Sequence, residues 1–256
     1  MRTSLSRIAF ITGASSGFGQ AIAKKFASYG YDIIINARRK DRLEALSKEL
    51  QEAHQCKVLV LPFDVSDRES VITAINNIPA QWKKIDVLVN NAGLALGRDY
   101  FEDASLDDWD TMIGTNLSGL LYVSKAVVPF MIERQEGHII NIGSTAAKEV
   151  YEKGNVYCAT KHAVDAASQA MRIDLLRHGI KVTAIHPGAA ETEFSQVRLK
   201  GNHEAAAKVY EGYRPLVAED IAEIAFYCAS LPPHVCINDL VVTCTSQANS
   251  YYLHKG

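Results

Sequence analysis

The sequence predicts an α/β fold, a doubly wound parallel sheet with helices on both faces. Three observations carry this. Short apolar runs rich in β-branched residues recur along the chain, longer amphipathic stretches separate them, and a glycine-rich turn joins the first run to the first such stretch. Runs that stay apolar without alternating suit strands covered by helices above and below. Regular strand-helix alternation then implies parallel strands joined by helical crossovers.

Strands are expected at 7–12, 32–36, 57–63, 86–90, 137–142, 181–186 and 240–243. Helices are expected at 19–29, 41–55, 67–78, 106–133, 157–178 and 219–230, where apolar residues recur at helical spacing. No repeat, low-complexity tract or Pro/Gly-rich linker breaks this order, so a single domain over 1–256 is expected. The one long patternless connection, 187–215, follows the sixth strand. Ligands of open α/β sheets bind beyond the carboxyl ends of the strands, which makes this segment a candidate substrate loop.

Hydrophobic residues make up 48% of the 256 residues and charged ones 22%, an ordinary globular balance. With 27 basic and 29 acidic residues the formal net charge is -2, so no overall field favours nucleic acid or an anionic lipid surface. Nor does any segment read as the roughly 20 apolar residues of a membrane span. Neither partner is expected, and the expected location is cytoplasmic. Cys56, Cys158, Cys228, Cys236 and Cys244 are odd in number and lack metal-ligand spacing, so reduced thiols and no metal site are expected.

The first strand ends in Thr12-Gly13-Ala14-Ser15-Ser16-Gly17-Phe18-Gly19 and opens a helix. Glycines let a backbone turn tightly and approach a pyrophosphate, while the helix start offers free N–H groups and the positive end of its dipole. This is a phosphate-binding turn of the Rossmann type. It is not a P-loop, because no Gly-Lys-Ser/Thr closes it. Where a site for a ribose 2′-hydroxyl would carry Asp or Glu, the second strand ends in Asn36-Ala37-Arg38-Arg39-Lys40. Three cations at a helix start are unfavourable without an anion. Arg38, able to hold a phosphate with two parallel hydrogen bonds, is the first candidate for a 2′-phosphate, with Arg39 beside it. NADP is expected rather than NAD.

Tyr157 and Lys161, four apart in a helical pattern, share a face, and Ser144 lies just past the fifth strand. A tyrosine exchanges a proton with a carbonyl or alcohol oxygen only if its pKa, about 10 in isolation, falls toward neutrality. A nearby ammonium favours the phenolate and does this.

The glycine turn, Asp64-Val65, Asn90-Asn91-Ala92-Gly93, Asn116, Ser144, Tyr157-Cys158-Ala159-Thr160-Lys161 and Pro187-Gly188, in that order, resemble the motifs of the short-chain dehydrogenase/reductase family over essentially the whole chain. The resemblance implies roles. Tyr157 would be the proton donor or acceptor; Lys161 would lower its pKa and bind the nicotinamide ribose. Ser144 would orient the substrate oxygen, and Asn116 would hold a water in the proton relay. Gly13, Ser15, Ser16, Gly17, Phe18 and Gly19 would cradle the pyrophosphate, and Asp64 and Val65 would border the adenine. Asn90, Asn91 and Gly93 would line the coenzyme path, and Pro187, Gly188 and Thr192 would flank the nicotinamide. The family also implies a homotetramer, through the helices beginning near Leu106 and Tyr157.

Residues 37–39 (ARR), 90–97 (NNAGLALG), 143–146 (GSTA), 154–157 (GNVY), 192–198 (TEFSQVR) and 231–238 are similar to the subgroup of NADP-dependent 3-hydroxy acid dehydrogenases, which act on serine, allo-threonine or 3-hydroxypropionate/malonic semialdehyde. Such a substrate needs a cation for its carboxylate. Arg198 is the first candidate, ahead of Arg98 and Lys153, and a structural ion pair is the competing reading of Arg198. Ala189-Ala190-Glu191 and Lys148-Glu149-Val150 depart from the subgroup and are expected to add charge near the substrate mouth. Cys158 is expected to pack. Two alternatives remain: a family reductase acting on a 3-oxoacyl thioester, sugar or other ketone, and a non-catalytic NADP-binding sensor.

Overall fold

The structure, a computed structural model, describes residues 6–202, 204 and 209–256. Residues 203 and 205–208 of the expected loop lie outside the described residues. Seven parallel strands, β1 (Ile8–Thr12), β2 (Asp32–Ala37), β3 (Val58–Pro62), β4 (Ile85–Asn90), β5 (Gly137–Ile142), β6 (Ile180–Pro187) and β7 (Asp239–Val242), form one sheet in the order β3-β2-β1-β4-β5-β6-β7. Each expected strand is present, within two residues at either end.

Consecutive β-branched residues fill both faces of this sheet. Ile33 and Ile35 of β2 join one core cluster, whereas Ile34 joins the other; Ile11 and Phe10 of β1 divide in the same way. The first cluster is covered by α1 (Gly17–Ser28), α2 (Lys40–His54) and, late in the chain, a helix at Ala218–Ser230. The second lies under α3 (Arg68–Asn76) and the long helix formed by α4 (Leu106–Ile113), a π-helical turn (Gly114–Gly119) and α5 (Leu120–Arg134). After α6 (Asn155–Leu175), the loop following β6 contains a short helix, α7 (Phe194–Arg198), so the Ala218–Ser230 helix is α8. Caps follow the sequence: Asp67 accepts from the N–H groups of Glu69 and Ser70, and Ser105 accepts from that of Asp108.

Leu106–Arg134, 29 residues with an 18-residue window of mean hydropathy 1.2, is by length and composition alone long and apolar enough to cross a membrane. Part of that apolar character is accounted for by packing: Val123, Val127 and Met131 are buried against the sheet. The chain reverses its order between β3 and β4, leaving β1 and β4 adjacent with connections running to opposite sides. A crevice opens beyond the carboxyl ends of strands at such a point.

Candidate active site

That crevice is a cleft of about 540 Å³. Its floor is the glycine turn, with Gly13 at φ +66° and Gly17 at φ +53°, conformations that favour glycine. The turn is tied to the end of β4: the Asn91 side chain donates to the carbonyls of Thr12 (2.9 Å) and Gly13 (3.2 Å), and the Thr12 hydroxyl accepts from the N–H groups of Asn91 and Ala92 (both 3.0 Å). Gly13, Ser15, Ser16, Gly17 and Phe18 line the cleft. Gly19 does not. A Cβ there would collide with the Gly13 carbonyl and the Asn91 side chain, so Gly19 is needed for packing beneath the turn.

Asn90 does not line the cleft with its side chain. Its side chain is buried and donates to Ser124 Oγ and Asn141 Oδ1, both at 2.8 Å, which ties β4 to α5 and β5 instead of lining the cleft. Asn91 and Gly93 do line it, as do Asp64 and Val65.

Arg38 and Arg39 both reach the cleft but differ in what they touch. Arg38 is 66% exposed and lies 3.6 Å from Asp64. Arg39 donates to the hydroxyls of Ser15 (2.9 Å) and Ser16 (3.0 Å) at the start of α1. Alternating side-chain directions at the strand end separate two neighbours that look equivalent in sequence.

At the other end, Ser144, Tyr157 and Lys161 converge from β5 and α6. Burial and the neighbouring Tyr151 push the Tyr157 hydroxyl pKa up, while the Ser144 hydroxyl and the Arg198 charge oppose that rise. Lys161 Nζ donates to the Ile142 carbonyl at 3.0 Å and lies 5.9 Å from the Tyr157 ring centre, and burial lowers its own pKa to about 8. Arg198, whose guanidinium lies 5.5 Å from the Tyr157 ring centre, is a cation that opposes burial at Tyr157.

Asn116 sits in the π-helical turn, a distortion often found at functional sites. Its side chain donates to Leu94 O (2.8 Å) and Thr160 Oγ1 (3.1 Å) and accepts from Leu94 N–H (2.8 Å). A Cβ on Gly93 would meet both Asn116 Oδ1 (3.2 Å) and Lys161 Nζ (3.4 Å), so the absence of a side chain at Gly93 keeps that corner open.

The loop after β6 closes the cleft. Pro187, Gly188, Thr192 and Arg198 line it, together with Phe194, whose ring lies 5.8 Å from that of Tyr157. Arg198 donates to the Tyr151 hydroxyl at 3.1 Å, and its buried Nε has no partner among the described residues. Arg98 also lines the cleft, whereas Lys153 is turned onto the Tyr100 ring at 4.2 Å.

Of the charges expected at the mouth, Lys148 turns away, whereas Glu149 stays beside it, bound to Ser250 of the cleft lining. Lys148 binds Asp165 (2.9 Å) and Asp239 (2.5 Å), away from the cleft, and Glu149 accepts from the N–H of Ser250. Ala189 and Ala190 line the cleft without Glu191. Cys158 is buried, as expected. Sequence reasoning missed Tyr151, Gln247 and Ser250, which line the cleft from a loop and the C-terminal tail. None belongs to a periodic pattern that could have marked it.

A family model for short chain dehydrogenase matches residues 7–202. An NADP-dependent 3-hydroxy acid dehydrogenase of Salmonella typhi is 48% identical over 242 residues, which cover 94% of this chain and 96% of that protein. Sulfoacetaldehyde reductase 2 of Chromohalobacter salexigens is 43% identical, with 97% and 98% covered. Among solved structures, the closed form of a serine dehydrogenase complexed with NADP+ superposes with a TM-score of 0.90 at 42% identity, covering 97% of this chain and 100% of that one. With its seven parallel strands in that fold and its motifs gathered around one cleft, the chain belongs to the short-chain dehydrogenase family and is an oxidoreductase.

Proposed function

We propose that this enzyme uses NADP to interconvert a small 3-hydroxy acid, such as serine, allo-threonine or 3-hydroxypropionate, and its 3-oxo counterpart. The observation that carries the substrate class is Arg198: a guanidinium with a buried, unpartnered Nε stands beside the Tyr157 ring. A carboxylate held there would put a hydroxyl two carbons away within reach of the phenol.

The coenzyme end suits NADP. Gly13 and Gly17 leave room for a pyrophosphate at the start of α1, Arg38 and Arg39 stand at the end of β2, and no carboxylate follows that strand as a 2′-hydroxyl would require. Asp64 and Val65 would border the adenine of bound NADP, and Pro187, Gly188 and Thr192 its nicotinamide. Bound NADP supplies the hydride acceptor. The chain's own residues handle the proton: Ser144 Oγ holds the substrate oxygen, Tyr157 Oη takes the hydroxyl proton, Lys161 holds the ribose, and Asn116 supports the relay beyond it. The 187–215 segment is the substrate loop of a single domain.

A homotetramer is the assembly this reading includes. Leu106, Ile113 and Leu121 on the long helix, Ile173 in α6 and Leu176 just past it are exposed apolar side chains, as a homotetramer would bury. Five free cysteines suit the cytoplasm.

Methyl esterification tests the substrate class. The ester of a good substrate is expected to lose roughly 10- to 100-fold in kcat/KM, the worth of a charge-assisted hydrogen bond, and Arg198→Ala to lose as much on the free acid with little further loss on the ester. An ester turned over as fast as the acid would replace this reading with a ketone or thioester reductase. A panel containing serine and threonine stereoisomers and 2-hydroxyethanesulfonate identifies the acid, since a sulfonate would meet the same guanidinium. For the coenzyme, Arg38→Ala and Arg39→Ala are each expected to weaken NADPH about 10-fold more than NADH. Equal losses would move the phosphate site elsewhere.

A further inference from the structure

The loop after β6 places one carboxylate, Glu193, on the arginines at the start of α2. Glu193 Oε1 accepts from Arg42 Nη1 at 2.8 Å, and Oε2 accepts from Arg42 Nη1 at 3.0 Å and from Arg39 Nη1 at 3.4 Å. The other edge of the Arg39 guanidinium holds the Ser15 and Ser16 hydroxyls. Arg39 is thus enclosed by two hydroxyls from the phosphate-binding turn and one anion from the loop. The neighbours of Glu193 in the chain cover the cleft. Thr192 lies over Gly17, where a Cβ would meet it at 3.5 Å, and Phe194 lies against Tyr157. The ion pair therefore straps segment 192–198 across the cleft, from the turn to the phenol.

We propose that Glu193 competes with a 2′-phosphate for Arg39 and Arg42, holding NADP affinity below what the arginines alone would give, and that only a 2′-phosphorylated nucleotide displaces it and frees the strap. This rests on the NADP reading above. The charges favour the exchange. A phosphate carries close to two negative charges and more acceptor oxygens than a carboxylate, and the guanidinium fork suits either anion. Because Glu193, Arg39 and Arg42 are each over two-fifths exposed, the pair is weak enough to be exchanged and sensitive to salt. The arginines also hold the Glu193 carboxyl below its usual pKa, against burial, which keeps it an anion at neutral pH.

The test compares wild type and Glu193→Gln, which keeps the side chain's size and removes its charge. Dissociation constants are measured by calorimetry for adenosine 2′,5′-bisphosphate, for 5′-AMP, and for NADP and NAD. The variant is expected to bind both 2′-phosphorylated ligands about 3- to 10-fold more tightly, with 5′-AMP and NAD unchanged, and the gain is expected to vanish in 1 M salt. In wild type, adenosine 2′,5′-bisphosphate is expected to speed amide hydrogen exchange in 192–198, and 5′-AMP to leave it unchanged. Unchanged or weaker binding of the 2′-phosphorylated ligands by the variant overturns the proposal, as does slower exchange in wild type. If wild type does not distinguish adenosine 2′,5′-bisphosphate from 5′-AMP, the NADP reading itself fails, a result separate from the variant's. Matching thermal melts of the two proteins show that the comparison is between folded molecules.

Discussion

Tyr157→Phe is expected to lower kcat by about 10²- to 10⁴-fold, the contribution of a positioned general acid or base. The substitution removes one oxygen and keeps the ring. The buried contacts of that ring with Phe194 and Arg198 persist, so substrate and coenzyme affinity should change little and the loss should fall on kcat. Wild type should also show a pH dependence of fixed sign. Burial and Tyr151 hold the Tyr157 hydroxyl protonated above its ordinary pKa. The phenolate that accepts a proton from an alcohol therefore gains population as pH rises, so oxidation should climb with pH. Reduction, which needs the phenol as donor, should fall over the same range. Because Arg198 opposes the effect of burial, Arg198→Ala should move both limbs to higher pH. A phenylalanine variant retaining a tenth of wild-type kcat would remove Tyr157 from the chemistry.

Phe26→Ala is expected to give the largest loss of stability, about 3–5 kcal/mol, with a Tm lower by roughly 10 °C. Phe26 is fully buried in α1, edge-on to Tyr31 at 5.0 Å and to Phe226 of α8 at 5.4 Å. Its removal leaves a cavity where α1, α8 and the sheet meet, and the paired rings limit how far that space can collapse. Chemical denaturation followed by circular dichroism measures the loss. Since the glycine turn that lines the cleft opens α1 at its other end, NADP should recover part of it by binding only the folded state. A loss under 1 kcal/mol would mean that this layer repacks.

The fold was legible because its signals are local. Ile33-Ile34-Ile35 can bury both faces only as a covered strand, and a turn containing Gly13 and Gly17 at the first strand-helix junction needs backbone that glycine adopts most readily. Ser144, Tyr157 and Lys161 were legible for the same reason, since a helical repeat and a strand end place them. The site's electrostatics were not legible. Arg198 lies forty-one residues beyond Tyr157 in the chain yet contributes an opposing charge, and Lys161, one turn away, also donates to the Ile142 carbonyl.

Sequence by itself determined the layered sheet, the turn for a dinucleotide phosphate and the family of the chemistry, because each depends on residues within a few positions of one another. Only the tertiary structure decided that Asn90 faces inward to Ser124 and Asn141, that Lys148 turns away to Asp165 and Asp239, and that Arg39 meets Ser15, Ser16 and Glu193. Those contacts join segments far apart in the chain. Which way a side chain points there is set by the partner it meets across the fold, and periodicity along the chain carries no record of that partner.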